Sequence, residues 1–216
     1  MKKYIVLTVL FALPICAYLF FASGVNNFVT LPTVTPNVPE LVNFKTAEGE
    51  SIKLQEKITI LGFPGYELLR EKGNAFNLDQ KIYNKNKDFS DFQVVMIVPT
   101  GTEKEANQIT AELGAVSDLS HWHYVFASPE EIKTYYSKLN LVGGLNGNLA
   151  TSNVFIIDKD RNLRGRKGKN KKGEEEYKEG YNTISAADLH NEMADDVKII
   201  LAEYRLALKR NNKRKI

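Results

Sequence analysis

The chain of 216 residues has one cysteine. A single thiol closes no internal disulfide and performs no dithiol–disulfide exchange by itself, so a secreted domain built from this sequence draws its stability from an apolar core. That cysteine, Cys16, stands inside an N-terminal hydrophobic stretch, where a thiol ordinarily serves as a small apolar side chain. An excess of one charge is also lacking, with 29 Lys and Arg against 26 Asp and Glu, and nothing in that balance favours nucleic acid as a partner. Charge is absent altogether from Tyr4 to Ala22, behind Lys2 and Lys3. Such a run approaches the roughly 20 apolar residues a helix needs to cross a bilayer. It is read as one transmembrane helix within residues 1–24. The two lysines then stay cytoplasmic, and everything after Gly24 lies in the periplasm beyond the inner membrane. A cleaved signal peptide is the alternative, because Ala22-Ser23-Gly24 offers small residues at a cleavage position.

Residues 25–40 carry Pro32, Pro36 and Pro39 without an apolar period, which predicts an extended tether. A folded domain is expected over residues 41–208, followed by a basic tail, 209–216. It opens with two short alternating runs, Val42-Asn43-Phe44-Lys45 and Ile52-Lys53-Leu54, around Glu48-Gly49-Glu50, which predict an N-terminal β-hairpin. The continuous apolar run Ile58 to Phe63 predicts a central strand buried on both faces, and Phe92 to Val98 a second one. Helical spacing between them, from about Tyr66 to Tyr83, makes a β-α-β unit with parallel strands. A helix over Thr102 to Leu113, a third strand at Trp122 to Phe126 and a helix capped by Ser128 with Pro129 in its first turn follow. Asn153 to Ile157 predicts a fourth strand, turning through Asp158 to Asn162 into an antiparallel return. Lys167 to Glu179, nearly all charged or Gly, predicts a solvated loop. Ser185 caps a last amphipathic helix.

This order resembles the thioredoxin arrangement: an α/β fold with a central mixed β-sheet flanked by helices. Three local strings sharpen the resemblance. Phe44-Lys45 through Glu48-Gly49-Glu50 to Ile58–Phe63 is similar to the opening of Sco/SenC-like and peroxiredoxin–TlpA-like proteins. Trp122 through Ser128-Pro129-Glu130-Glu131-Ile132 resembles the Sco segment in which a tryptophan strand leads into a helix. Val154 to Asp160 resembles the strand and turn of the same superfamily. The resemblance implies a redox cysteine pair (thioredoxins) or a copper-binding cysteine pair (Sco proteins) directly after the central strand, and in Sco proteins a histidine before the fourth strand. Here the first place reads Gly62-Phe63-Pro64-Gly65-Tyr66-Glu67-Leu68-Leu69-Arg70 and the second Asn148 to Asn153. Both ligand sets are missing, and Ser152 stands where thioredoxins carry a cis-proline. No catalytic residue transfers. The resemblance thus implies a branch without the cysteine pair and copper histidine, serving as a binding or assembly module for an envelope or inner-membrane protein.

Two sets of residues remain as candidate sites. Pro64, Gly65, Tyr66 and Arg70 occupy the vacated position and are a candidate docking surface; the plainer reading has Phe63 and Tyr66 filling the volume of the lost cysteines. His121 and His123, about 7 Å apart on one strand face if extended, are a candidate metal pair. The plainer reading there is two half-exposed residues at a strand start, since a firm site needs further ligands. No cofactor is expected; copper through non-cysteine ligands is the alternative, as in a metallochaperone for respiratory oxidase assembly.

Overall fold

Ile58–Pro64 (β2) is buried along nearly its whole length because it is the middle of a sheet. In this computed structural model, which describes residues 4, 10–18, 30–169 and 173–213, β2 pairs in parallel with Phe92–Pro99 (β3) and antiparallel with Ala150–Ile157 (β5). Ile60 thus lies between Val94 and Ile156. Trp122–Ala127 (β4) continues the sheet in parallel beyond β3. Leu163–Arg164 (β6) and Thr33–Thr35 (β1) continue it antiparallel beyond β5, giving the order β1-β6-β5-β2-β3-β4, with Tyr181–Asn182 (β9) also paired to β5.

Alternation along these strands sorts their side chains into two cores. Ile58, Ile60, Val94, Met96, Trp122, Tyr124, Val154 and Ile156 face one layer of helices. That layer holds α1, which runs through Lys72–Leu78, a π-helical turn at Asp79–Tyr83 and Asn84–Asn86, together with Glu103–Gly114 (α2). It also holds the C-terminal α4, which runs through Ala186–Asp188, a second π turn at Leu189–Met193 and Ala194–Lys213. The two π turns pack on each other. Leu61, Phe63, Val95, Ile97, Val125, Phe155 and Ile157 face Pro129–Ser137 (α3) and the N-terminal segment. The Ser128 cap forms as expected: Ser128 Oγ accepts from Glu131 N (3.3 Å) and Glu131 Oε2 accepts from Ser128 N (3.0 Å), closing a capping box.

Three expectations are corrected. Residues 31–40 are no tether: β1 joins the sheet edge, Leu31 and Val38 are buried, and the Thr35 hydroxyl donates to the Leu139 carbonyl (2.6 Å). The prolines suit an edge segment, whose backbone pairs on one side alone. The N-terminal β-hairpin does not form either. One turn survives, with Thr46 N donating to Glu50 O (3.0 Å), and Lys45 makes an isolated bridge to Phe126. Leu41, Phe44 and Leu54 are core residues while Val42 is exposed, so burial does not follow the alternation a hairpin requires. The Glu40 carboxylate instead holds this segment, accepting from Leu54 N and Gln55 N.

The charged stretch is a β-hairpin, Arg166–Lys169 (β7) against Glu175–Lys178 (β8). Two of its cations tie it to α4: Arg166 reaches Asp196 (2.8 Å) and Glu192 (3.3 Å), and Lys178 reaches Glu192 (2.8 Å) and Asp188. Of the transmembrane reading of residues 1–24, positions 4 and 10–18 are described and the rest lie outside the described residues; the expected basic tail continues α4 as far as Lys213, and 214–216 lie outside. Among those described, no helix is long and apolar enough to cross a membrane.

Candidate functional site

The end of β2 and the start of β5 meet over one glycine. Gly65 has φ +72°, and a Cβ there would stand 2.2 Å from the Asn148 carbonyl oxygen and 2.8 Å from the Ala150 Cβ. Only a residue without a side chain fits both the left-handed backbone and the contact. The approach is closed by Tyr66 N donating to Asn148 O (3.1 Å).

Beneath this crossing lies a cavity of about 270 Å³, between the first face of the sheet and the layer of α1 and α2. Gly62 and Met96 form its floor from adjacent strands, Tyr124 and Val154 extend it, and Leu68, Ala75 and Ile109 close it from the helical side. Gly62 makes room for the Met96 thioether, since a Cβ there would meet Met96 Sδ at 2.5 Å. Pro64, Asn148, Ser152, Thr183 and Ile184 line the mouth. Ser152 is held there by Thr183, whose N–H (2.9 Å) and hydroxyl (2.7 Å) both donate to the Ser152 carbonyl.

The four residues of the expected docking surface separate. Pro64 lines the cavity and Gly65 makes the crossing possible, while Tyr66 is 41% exposed and Arg70 lies outside, bonded to Glu67 at 3.0 Å. The volume-filling reading is corrected as well. The Phe63 ring turns into the opposite core, edge-on to Tyr136 (5.0 Å) and Phe155 (6.3 Å), and the space on the first face stays open. Sequence reasoning missed Met96, Tyr124 and Thr183. Their one signal was Gly62 at the end of an otherwise bulky buried run.

Tyr124 is the buried polar group of the cavity wall. Burial pushes its hydroxyl pKa well up, opposed by the nearby indole of Trp122. Trp122 Nε1 is itself buried without a hydrogen-bond partner. Trp122 stacks edge-on against Tyr83 (5.4 Å), whose hydroxyl accepts from His121 N (3.1 Å).

The histidine pair is elsewhere, at the start of β4. His123 pairs in register with Val95, and its pKa is lowered by burial and then by its neighbour His121. Met193, on α4, is fully buried in the first core. Among the described residues no group of three or more His, Cys, Asp or Glu is placed to hold a metal ion.

No protein-family model matches the chain, and no curated protein matches it. Solved structures do. BsSco, a member of the Sco family of cytochrome c oxidase assembly proteins, superposes with a TM-score of 0.56 at 12% identity, over 79% of this chain and 98% of the other. A thiol:disulfide interchange protein from Bacteroides sp. superposes with a TM-score of 0.50 at 14% identity, over 79% and 93%. The fold is thioredoxin-like. At these identities the likeness is one of architecture, and the chemistry rests on the residues present. At the end of β2 of this thioredoxin-like domain the one soft donor lining the cavity is the Met96 thioether, with no thiol and no imidazole beside it. That donor set does not fit a copper site.

Proposed function

We propose that the chain is a non-catalytic, membrane-anchored, Sco-like thioredoxin-fold protein that acts as a binding or assembly module for another protein of the cell envelope. The observation that carries the reading is the end of β2. There Gly65 crosses Asn148 over an open space, and the residues around it offer no nucleophile for thiol exchange. A concave surface without reactive atoms is suited to recognition. Tyr66, half exposed beside the crossing, is the aromatic anchor of the docking face, a residue type enriched at interfaces. The uncharged stretch within residues 1–24 is the anchor that keeps the domain at the inner membrane, facing the periplasm.

The test is photo-crosslinking in intact cells, with the reactive group placed at position 66 or, as a control, at the exposed position 42 on the opposite layer. A discrete membrane-protein adduct from 66 and none from 42 is the expected result. A thiol-exchange activity of the purified chain that survives Cys16→Ser would refute the non-catalytic reading.

A further inference from the structure

The cavity has a property that docking at the surface does not use. Its buried lining is largely apolar, with Leu68, Met96, Ile109 and Val154, and among these stands a phenol, Tyr124, whose proton has no acceptor among the described residues. Tyr124 is 9% exposed, and its polar neighbour, the indole of Trp122, carries an N–H that can only donate. No hydrogen bond among the described residues takes the Tyr124 proton, and the indole N–H beside it is buried without a partner, a deficit that native structures rarely leave unmet. An acceptor atom placed in the cavity would take the Tyr124 proton and hold the hydroxyl with its lone pairs available to the Trp122 N–H.

Size and charge narrow what could bring that atom. An apolar cavity of about 150 Å³ holds benzene, and drug-sized ligands occupy about 300–1,000 Å³. About 270 Å³ lies between these, room for one ring or a short chain. A charged ligand is disfavoured by the buried apolar lining of Leu68, Met96, Ile109 and Val154. The ions that line it are already engaged: Glu67 with Arg70 (3.0 Å), Glu71 with the Asn74 amide (3.2 Å), and Lys72 with Glu112 (2.8 Å).

We infer that the cavity under the β2–β5 crossing is a binding site for a small, uncharged, largely apolar molecule with one hydrogen-bond acceptor, a carbonyl oxygen, held by the Tyr124 hydroxyl. The inference is independent of the assembly reading, since it concerns the interior of the sheet–helix layer and needs no protein partner.

The full chain in detergent, labelled at the methionine methyls, tests it by NMR. Three methionines are present, Met1, Met96 and Met193; Met96 lines the cavity, and Met193 is fully buried in the same core without lining it. Acetophenone, the carbonyl probe, should shift the Met96 methyl saturably and leave Met193 in place. Ethylbenzene, of the same shape without the acceptor, should bind roughly fivefold more weakly, the worth of one hydrogen bond. Tyr124→Phe should remove that difference by weakening acetophenone alone. Ala75→Leu, which fills the cavity from α1, should abolish the Met96 shift by both probes while the Met193 signal reports an intact fold. No saturable Met96 shift at millimolar probe would overturn the site. Equal affinity for the two probes, or an acetophenone affinity unchanged in Tyr124→Phe, would overturn the role of the hydroxyl.

Discussion

Replacing Gly65 by alanine tests the crossing that organises the site. Alanine at φ +72° costs about 1 kcal/mol in backbone strain. Its Cβ would lie 2.2 Å from the Asn148 carbonyl oxygen, so the two segments must part and the Tyr66–Asn148 hydrogen bond is lost, about 1 kcal/mol more. The segment opposite does not yield freely. Asn146 N donates to Ala150 O (2.9 Å), the Asn146 side chain accepts from Ala150 N (3.0 Å), and Leu149 between them is buried. Disturbing that packing adds about another 1 kcal/mol. Gly65→Ala should thus destabilise the protein by about 3 kcal/mol, a fall in Tm of about 6–12 °C for a chain of this size. Gly62→Ala is the internal comparison. There the added Cβ meets the Met96 thioether at 2.5 Å, a flexible group beside open space, and the cost should stay below about 1 kcal/mol. Urea unfolding followed through Trp122, the single tryptophan, measures both. The reasoning fails if Gly65→Ala unfolds within 1 kcal/mol of the parent, or if Gly62→Ala costs as much.

Three further outcomes are expected. Asp158 is fully buried, accepts from Asp160 N and Asn162 N, and pairs with Arg164 at 2.8 Å; Asp158→Ala should cost about 3 kcal/mol in the same unfolding assay, because it leaves a buried guanidinium with one carboxylate partner, Glu203. Asp79 Oδ1 and Ser117 Oγ are buried without partners, and burial holds the Asp79 pKa above its ordinary value, opposed by Ser117 and Lys87. A carboxyl whose pKa is raised by folding carries no penalty below its unfolded value, and the penalty grows as pH rises through the folded one. Asp79→Asn should therefore stabilise the protein by about 1 kcal/mol at pH 7, a gain that disappears in unfolding curves taken below the ordinary aspartate range. Arg166→Met removes the ties from β7 to Asp196 and Glu192, so amide exchange across 175–178 should accelerate while exchange in β2 is unchanged.

How legible each part was depended on the range of the interaction that forms it. The central strands were readable because Ile58–Pro64 and Phe92–Pro99 are apolar on both faces, and that pattern has one common explanation. The Ser128 cap was readable because its partner, Glu131, is three residues away. The hairpin expected around Gly49 failed because alternation across four residues is weak, and the contacts made by Glu40 with Leu54 and Gln55 outweighed it. The charged stretch reads locally as a loop because its stabilising partners, Asp188, Glu192 and Asp196, stand on a helix later in the chain. The same holds for the segment around β1, whose partners lie at Leu139, Arg164 and Glu203.

For the site, composition alone determined the most consequential fact. One cysteine, remote from the end of the central strand, leaves this thioredoxin-like domain without a thiol pair, and no folding changes that count. Periodicity determined which strands would be central, since burial on both faces is written residue by residue. What stands in place of the thiols was decided by tertiary structure. Phe63 was free to turn to either core, and strand alternation sent it to the face away from the helices of α1 and α2. The opposite face then received Gly62, Met96, Tyr124 and Val154 from four different strands, and their small or flexible side chains do not close the space between them. A cavity is the volume left by residues far apart in sequence, and so its existence was set only when the sheet brought them side by side.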